Sequence, residues 1–125
     1  MINKSVKVEF CVRVAANILK VASIRVFVNW DFPFLPRVGE FVEPTIWFPY
    51  LDFRNQKIEE KLTAEAKADL QEYLNVGGDD FESWFFDNAC RSEHVVMVSY
   101  YTDFKDDDTK EVYASIVLDA IPETT

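Results

Sequence analysis

The fold is decided by the stretch Trp30-Asp31-Phe32-Pro33-Phe34-Leu35-Pro36-Arg37-Val38-Gly39-Glu40-Phe41-Val42, which we call the Pro/Gly turn. Proline has no N–H to donate to a β-ladder, and glycine adopts backbone angles that other residues avoid. Pro33, Pro36 and Gly39 therefore interrupt strand pairing and redirect the chain into a new strand. The stretch predicts a corner between two β-hairpins and contains no catalytic motif.

Before the Pro/Gly turn, two segments alternate between apolar and polar residues. The apolar positions are Val6, Val8, Phe10, Val12 and Val14 in the first segment, and Ile24, Val26, Val28 and Trp30 in the second. A period of two is typical of a strand that buries one face. The pattern predicts two strands paired as a long hairpin and leaves the conformation of residues 15–22 open.

After the turn, the apolar run from Phe41 to Phe48 predicts a third strand, which Pro44 and Pro49 would break or confine to an edge of the sheet. Residues 94–102 and 111–121 predict two further strands, joined by a polar loop whose length suits a hairpin.

Between these strands the apolar period changes to that of a helix. Ile58, Leu62, Ala66, Leu70 and Leu74 recur every four residues, with Thr63 as an alternative internal N-cap. Asn75 and the pair Gly77-Gly78 supply a left-handed stop. Asp79 and Glu82 then fit a capping box for a second, shorter helix.

Together these elements predict an α+β protein. The expected architecture is a curved antiparallel five-stranded sheet or a small SH3-like barrel, with an αα-hairpin inserted at about residues 56–91. A length of 125 residues is typical of one domain, so we expect residues 1–125 to form a single domain.

A motif between the two predicted hairpins resembles a turn in small uncharacterised bacterial proteins with barrel-like antiparallel sheets. The motif is Leu35-Pro36-Arg37-Val38-Gly39-Glu40-x-Val42. The resemblance covers the strands but not the helices. It implies a barrel-like sheet, and it identifies no functional family and no activity.

The charge of the chain is unevenly distributed. The net charge is −9, with eight Lys/Arg against five Asp/Glu in residues 1–57 and five against seventeen in residues 58–125. An acidic field repels phosphate backbones, so direct nucleic-acid binding is disfavoured. No apolar block is long enough for a signal peptide or a membrane span, and we expect a cytoplasmic protein with no membrane partner.

Aromatic side chains around the Pro/Gly turn are the main binding candidates, since one small sheet cannot bury all of them. The predicted binding residues are Trp30, Phe32, Phe34, Arg37, Phe41, Trp47, Phe48 and Tyr50. Aromatic anchors beside prolines are typical of protein-binding grooves and oligomer interfaces. The alternative is that these rings close the open ends of the sheet.

Acidic side chains offer a second hypothesis, an inhibitor or nucleic-acid mimic that binds a basic partner. Its residues would be Glu65, Asp69, Glu72, Asp79, Asp80, Asp106, Asp107 and Asp108. The alternative interpretation is a solvated helix face and a solvated hairpin tip.

Evidence for chemistry in the sequence is weak. His94 is the only histidine, and the two cysteines, Cys11 and Cys90, lack metal-ligand spacing, so we predict free thiols, no catalytic residue, no metal site and no cofactor. A small hydrolase-like enzyme around His94, or around the acids Asp31 and Glu43, is the last alternative. The favoured function is therefore non-enzymatic binding of another protein, a second copy of this chain included.

Overall fold

The computed structural model describes residues 6–104 and 110–120 and contains one four-stranded sheet. Its strands are β1 (Val6–Arg13), β2 (Ser23–Trp30), β3 (His94–Phe104) and β4 (Lys110–Asp119), in the spatial order β2-β1-β4-β3. β1 and β2 form one antiparallel pair, and β3 and β4 form another. The two pairs join through β1 and β4, which run parallel. The predicted first hairpin is confirmed.

The α+β class is also confirmed, but the predicted five-stranded antiparallel sheet and the SH3-like barrel are wrong. The sheet has four strands among the described residues, it is mixed, and it does not close. The alternation could not reveal this arrangement. Neighbouring strands of two hairpins can pair either parallel or antiparallel, and alternation along a strand specifies only which residues share a face. The long segment between β2 and β3 supplies the crossover that permits the parallel pair.

The segment predicted as a third strand takes a different conformation. Phe41 forms a single bridge with His94, and the chain then makes two 3-10 turns, Pro44–Ile46 and Phe48–Tyr50. Each turn has a proline in its first positions, where the missing N–H has no intrahelical partner to lose. The prolines therefore initiate helical turns here instead of marking an edge strand.

The buried face of the sheet follows the predicted alternation in β1 and β2, and β4 adds a third row to it. Its buried side chains include Val8, Phe10 and Val12 of β1, Ile24, Val26, Val28 and Trp30 of β2, and Ala114, Ile116 and Leu118 of β4. The register places Phe10 between Val26 and Ile116, so the apolar residues of adjacent strands form continuous rows. The other face is open, and Phe27 and Met97 stay about half exposed on it.

The polar side chains of the open face neutralise one another. Glu9 is only 8% exposed, and its carboxylate is paired: the hydroxyl of Tyr101 donates to Oε2 at 2.7 Å, and Arg25 Nε lies 3.5 Å from Oε1. Gln56 covers the outer edge of β2: its amide accepts from the Arg25 N–H at 3.2 Å and donates to the Arg25 carbonyl at 2.6 Å. This pairing blocks further strand addition at Arg25.

Two α-helices, α1 (Ala64–Asn75) and α2 (Phe81–Ala89), follow a 3-10 turn at Glu59–Lys61. The first helix begins at the internal cap, because Thr63 Oγ1 accepts the N–H of Ala66 at 3.1 Å. Its predicted stop is confirmed: Gly77 has a φ of 95°, and the Gly78 N–H donates to the Tyr73 carbonyl at 2.8 Å.

The predicted capping box at Asp79 and Glu82 is wrong by one residue. Asp80 is the N-cap of α2, and its Oδ1 accepts the Ser83 N–H at 2.8 Å. That hydrogen bond holds the pKa of the Asp80 carboxyl below its ordinary value. Residues 15–22, left open by the sequence, form a turn that pairs with the segment before α1, where the Lys20 N–H donates to the Lys61 carbonyl at 2.7 Å.

Replacing Phe10 by alanine is expected to lower the free energy of unfolding by about 3–5 kcal/mol, because its fully buried ring would leave a cavity. The matched control is Phe27→Ala on the open face of the neighbouring strand, with an expected loss below about 1 kcal/mol. Urea denaturation followed by circular dichroism measures both values. Equal losses in the two variants would contradict this assignment of faces.

Candidate functional site

The Pro/Gly turn crosses from the end of β2 to the start of β3 and is held at both places. At the β2 end, Trp30 Nε1–H donates to the Phe34 carbonyl at 3.0 Å. At the β3 end, the Gly39 N–H donates to the Val95 carbonyl and the Val95 N–H donates to the Glu40 carbonyl, each at 2.9 Å. These bonds fix the backbone of an otherwise irregular segment to the sheet.

Two local features shape the turn between these anchors. Gly39 has a φ of 92°, in the region that side chains other than glycine rarely adopt. Glu40 folds back on Arg37: its N–H donates to the Arg37 carbonyl at 2.9 Å, and its Oε1 accepts the Arg37 N–H. The Arg37 guanidinium also lies near that carboxylate, with Nε 4.0 Å from Oε1.

A groove of about 520 Å³ lies along this segment, and we call it the aromatic groove. Its buried or half-buried lining consists of Trp30, Leu35, Pro36, Val42 and Ile46. Its exposed lining consists of Phe32, Pro33, Phe34, Arg37, Glu40, Phe41 and Glu43. A concave, mainly apolar site with a few charged groups is the usual form of a binding site.

Three phenyl rings in the lining are unusually open to solvent. Phe32 is 58% exposed, Phe34 is 79% exposed and Phe41 is 61% exposed. One face of Phe32 rests on Trp30, with ring centroids 5.0 Å apart, and Phe41 stacks on His94 at 5.6 Å. Phe32 and Phe41 therefore each contact another ring of the protein while most of their surface faces water, and Phe34 is the most exposed of the three.

The structure brings together five of the eight predicted binding residues: Trp30, Phe32, Phe34, Arg37 and Phe41 all line the groove. The other three lie elsewhere. Trp47 is fully buried in the core, and Phe48 packs against Phe86 at a centroid distance of 4.8 Å. Tyr50 is exposed beside a separate cavity.

Sequence reasoning did not assign Val42, Ile46, Glu40 and Glu43 to the binding surface, although all four line the groove. Val42 and Ile46 were part of the predicted third strand. Val42 instead ends the Pro/Gly turn, and Ile46 lies in the 3-10 turn Pro44–Ile46, so both line the groove from outside the sheet. The one feature of the sequence that could have placed Glu40 on this surface was its spacing from Arg37, since residues three apart in a tight turn contact each other.

The acidic residues of the second hypothesis serve different purposes. Asp69 Oδ2 accepts the indole N–H of Trp84 at 2.9 Å, and Asp80 caps α2. Glu65, Glu72 and Asp79 are exposed. Residues 106–108 lie outside the described residues.

In the described part of the chain, no hydrogen bond pairs His94 with Cys90 or Ser92, which lie near it in sequence. The acids of the same alternative, Asp31 and Glu43, are both exposed. Burial raises the pKa of the Cys90 thiol to about 12, so the nucleophilic thiolate is suppressed. Ser92 donates its hydroxyl to the Arg13 carbonyl. His94 Nδ1 is buried without a hydrogen-bond partner among the described residues, and the His94 ring stacks on Phe41.

Metal-binding geometry is also absent from residues 6–104 and 110–120, where no three His, Cys, Asp or Glu side chains are grouped to hold an ion. No helix in that part of the chain is long and apolar enough to cross a membrane.

Comparison with known proteins gives no information on the groove. No protein-family model matches the chain, and searches of curated proteins and of solved structures found no match. The functional argument therefore depends on the geometry of the groove.

Replacing Gly39 by alanine is expected to lower the free energy of unfolding by about 1–2 kcal/mol, because the positive φ strains any residue that has a Cβ. The space around Gly39 is open, so the loss would come from the backbone and not from a clash. Val38→Ala, at the exposed neighbouring position, is the control and should change little. Chemical denaturation measures both, and an unchanged Gly39→Ala protein would contradict the strained turn.

Cys90 and Cys11 should react differently with a thiol reagent. In the folded protein the half-buried Cys11 should be labelled at pH 8, whereas Cys90 should be labelled only after unfolding.

The unfolded Cys90 thiol ionises near pH 9 and the folded one near 12, so the free energy of unfolding should fall as pH rises between these values. Cys90→Ala should reduce that fall, and an equal pH dependence in both proteins would contradict it.

Proposed function

We propose that this chain is a non-enzymatic binding protein that takes an apolar segment of a partner protein into the aromatic groove. The supporting observation is the exposure of Phe32, Phe34 and Phe41 around one concave surface. Burying a phenylalanine side chain that would otherwise face water is worth about 1.5–3 kcal/mol. Three such rings on one surface are a substantial source of binding free energy.

Anchoring of the groove backbone supports the same proposal. The hydrogen bonds from Trp30 to Phe34 and between Gly39, Glu40 and Val95 attach the turn to the sheet at both ends. A preformed site loses less conformational entropy on binding than a mobile loop does. The turn therefore has the properties of a binding surface.

The alternative that these rings only close the end of the sheet is disfavoured by their exposure. A ring that closes a core is buried by it, as Trp30 and Trp47 are. Phe34, at 79% exposure, contributes little to the core. Truncation of Phe34 to alanine should therefore leave the free energy of unfolding nearly unchanged and should weaken binding of the partner.

We place this binding in the cytoplasm, where Cys11 and Cys90 remain free thiols. The partner is another protein and not a nucleic acid, since the net charge of −9 repels phosphates. The acidic-inhibitor hypothesis stays a prediction, and its exposed carboxylates among the described residues are Glu65, Asp69, Glu72, Asp79 and Asp80.

The test is selection of random peptides displayed on phage, with the wild-type chain as the target and Phe34→Ala/Phe41→Ala as the counter-target. We expect enriched peptides that share apolar anchor residues and bind the wild type at least about tenfold more tightly than the variant, about 1.4 kcal/mol. Isothermal titration calorimetry on the enriched peptides measures this ratio.

Phe27→Ala is the control, because it removes another exposed phenyl ring, from the open face of the sheet and outside the groove lining. Its affinity for the same peptides should equal that of the wild type. Trp47→Ala is unsuitable as a probe, since that side chain is fully buried and its loss would disturb the core. Selection that returns no groove-dependent peptide would overturn the proposal.

A further inference from the structure

The two edges of the sheet are covered to different extents. On β2, the Gln56 side chain bonds both the N–H and the carbonyl of Arg25, at 3.2 and 2.6 Å. On β3, the Pro/Gly turn bonds both groups of Val95, through the Gly39 N–H and the Glu40 carbonyl. Past Val95, and within residues 6–104 and 110–120, the backbone of β3 pairs only with β4. Residues 97–104 therefore offer an open edge, which we call the β3 edge.

The β3 edge lacks the features that usually protect an edge strand. The bulge in the ladder with β4 lies between Val95 and Met97, and the register is continuous from there to Phe104. The sequence of the β3 edge contains no proline and no lysine, and Asp103 is its only charged residue. Natural proteins place charges, prolines and bulges on an edge strand to prevent pairing with another chain. A regular and nearly uncharged edge is instead a template for a further strand.

The peptide groups available to a further strand belong to alternate residues of the β3 edge. Along a strand, side chains alternate between the two faces while the peptide groups alternate between the two neighbouring strands. Val95 has a buried side chain and directs its N–H and carbonyl outward, to the Pro/Gly turn. Val98 lies on the same face, opposite the buried Ile116. Tyr100 follows on that face, opposite the buried Ala114, so the peptide groups of Val98 and Tyr100 also point outward.

The side chains at the β3 edge are apolar, exposed and uncharged. Tyr100 is 65% exposed on one face of the sheet, and Met97 is 51% exposed on the other. The chain as a whole has a net charge of −9, yet residues 95–102 carry no charge. Two acidic copies repel each other through their charged surfaces, and this strand is a place where no like charges oppose their approach.

We propose that this chain forms a homodimer in which the β3 edges of two copies pair antiparallel and join the two sheets into one. With the twofold axis at Tyr100, Asp103 of one copy falls opposite Met97 of the other and meets no like charge. None of residues 97–104 lines the aromatic groove, so this interface is separate from the proposed binding site.

Closure of the assembly favours a second copy over an extended segment of an unrelated protein. Valine, tyrosine and threonine, which dominate the β3 edge, are residues that favour strands, so the same segment supplies both halves of the pair. Pairing of the two copies uses both open edges at once. The ends of the joined sheet are then the two β2 strands, where Gln56 already occupies Arg25. The assembly therefore stops at two copies.

Sedimentation velocity over a concentration series measures dimerisation of the wild type and of Tyr100→Lys. The substitution puts two positive charges opposite each other at the twofold axis, and like charges directly opposite destabilise a strand pair. We expect its dissociation constant to rise at least about tenfold. Tyr50→Lys is the matched control, because it makes the same exchange at an exposed position outside the strands. It should dimerise like the wild type.

Amide hydrogen exchange followed by NMR identifies the paired strand without any substitution. The amides of Val98 and Tyr100 should exchange more slowly when the wild type is dimeric than when it is diluted to the monomer, because only the dimer bonds them. The amide of Ser99 points to β4 and is the internal control, with slow exchange at every concentration.

A wild type that stays monomeric at about 1 mM would overturn the proposal. So would a dimer in which the Val98 and Tyr100 amides exchange equally fast at all concentrations. A dimer that is lost in Phe34→Ala and kept in Tyr100→Lys would form through the aromatic groove, which would also rule out pairing of the β3 edges. The peptide selection described above decides the proposed function independently of all three results.

Discussion

Backbone pairing between the Pro/Gly turn and the first residues of β3 is the interaction on which the rest of this structure depends. The N–H groups of Gly39, Val42 and Val95 all donate across this junction. The junction attaches an irregular segment, which runs from one edge strand, β2, toward the other, β3, to the first residues of β3. These hydrogen bonds set the shape of the crossing at its β3 end. The aromatic groove is a consequence of that shape, since its walls belong to the segment so held.

The acidic composition of the chain has structural uses that a charge count does not show. Asp69 accepts the indole N–H of the buried Trp84, Asp80 caps α2, and Glu9 binds Tyr101 and Arg25 on the open face. Each of these carboxylates satisfies a donor that would otherwise be unpaired or poorly paired. The carboxylates at the groove are different, because Glu43 has no such partner among the described side chains and Glu40 is engaged only with Arg37. Position within the fold therefore decides which acids are available to a partner.

Much of the fold could be predicted from local patterns. The alternation around Phe10 and Val26 identified two strands and their buried faces, and Gly77 identified the end of α1. Local patterns gave wrong predictions where the same residues are compatible with two backbone conformations. Pro44 either ends a strand or starts a helical turn, and Asp79 and Asp80 are both acceptable caps until Tyr73 and Ser83 are in place. For the site, the sequence located the aromatic residues but could not distinguish the buried Trp47 from the exposed Phe34.

The sequence alone therefore determined the α+β class, the two pairs of strands, the buried faces of the first pair, and the Pro/Gly turn as the corner that follows it, because periodicity, proline and glycine act over a few residues. Tertiary structure alone decided that β1 and β4 lie side by side in parallel, that the sheet stays open, and that Glu40 and Glu43 face the same groove as Phe34. These outcomes depend on contacts between segments far apart in the chain. No local period encodes which distant partner a strand or a loop will meet.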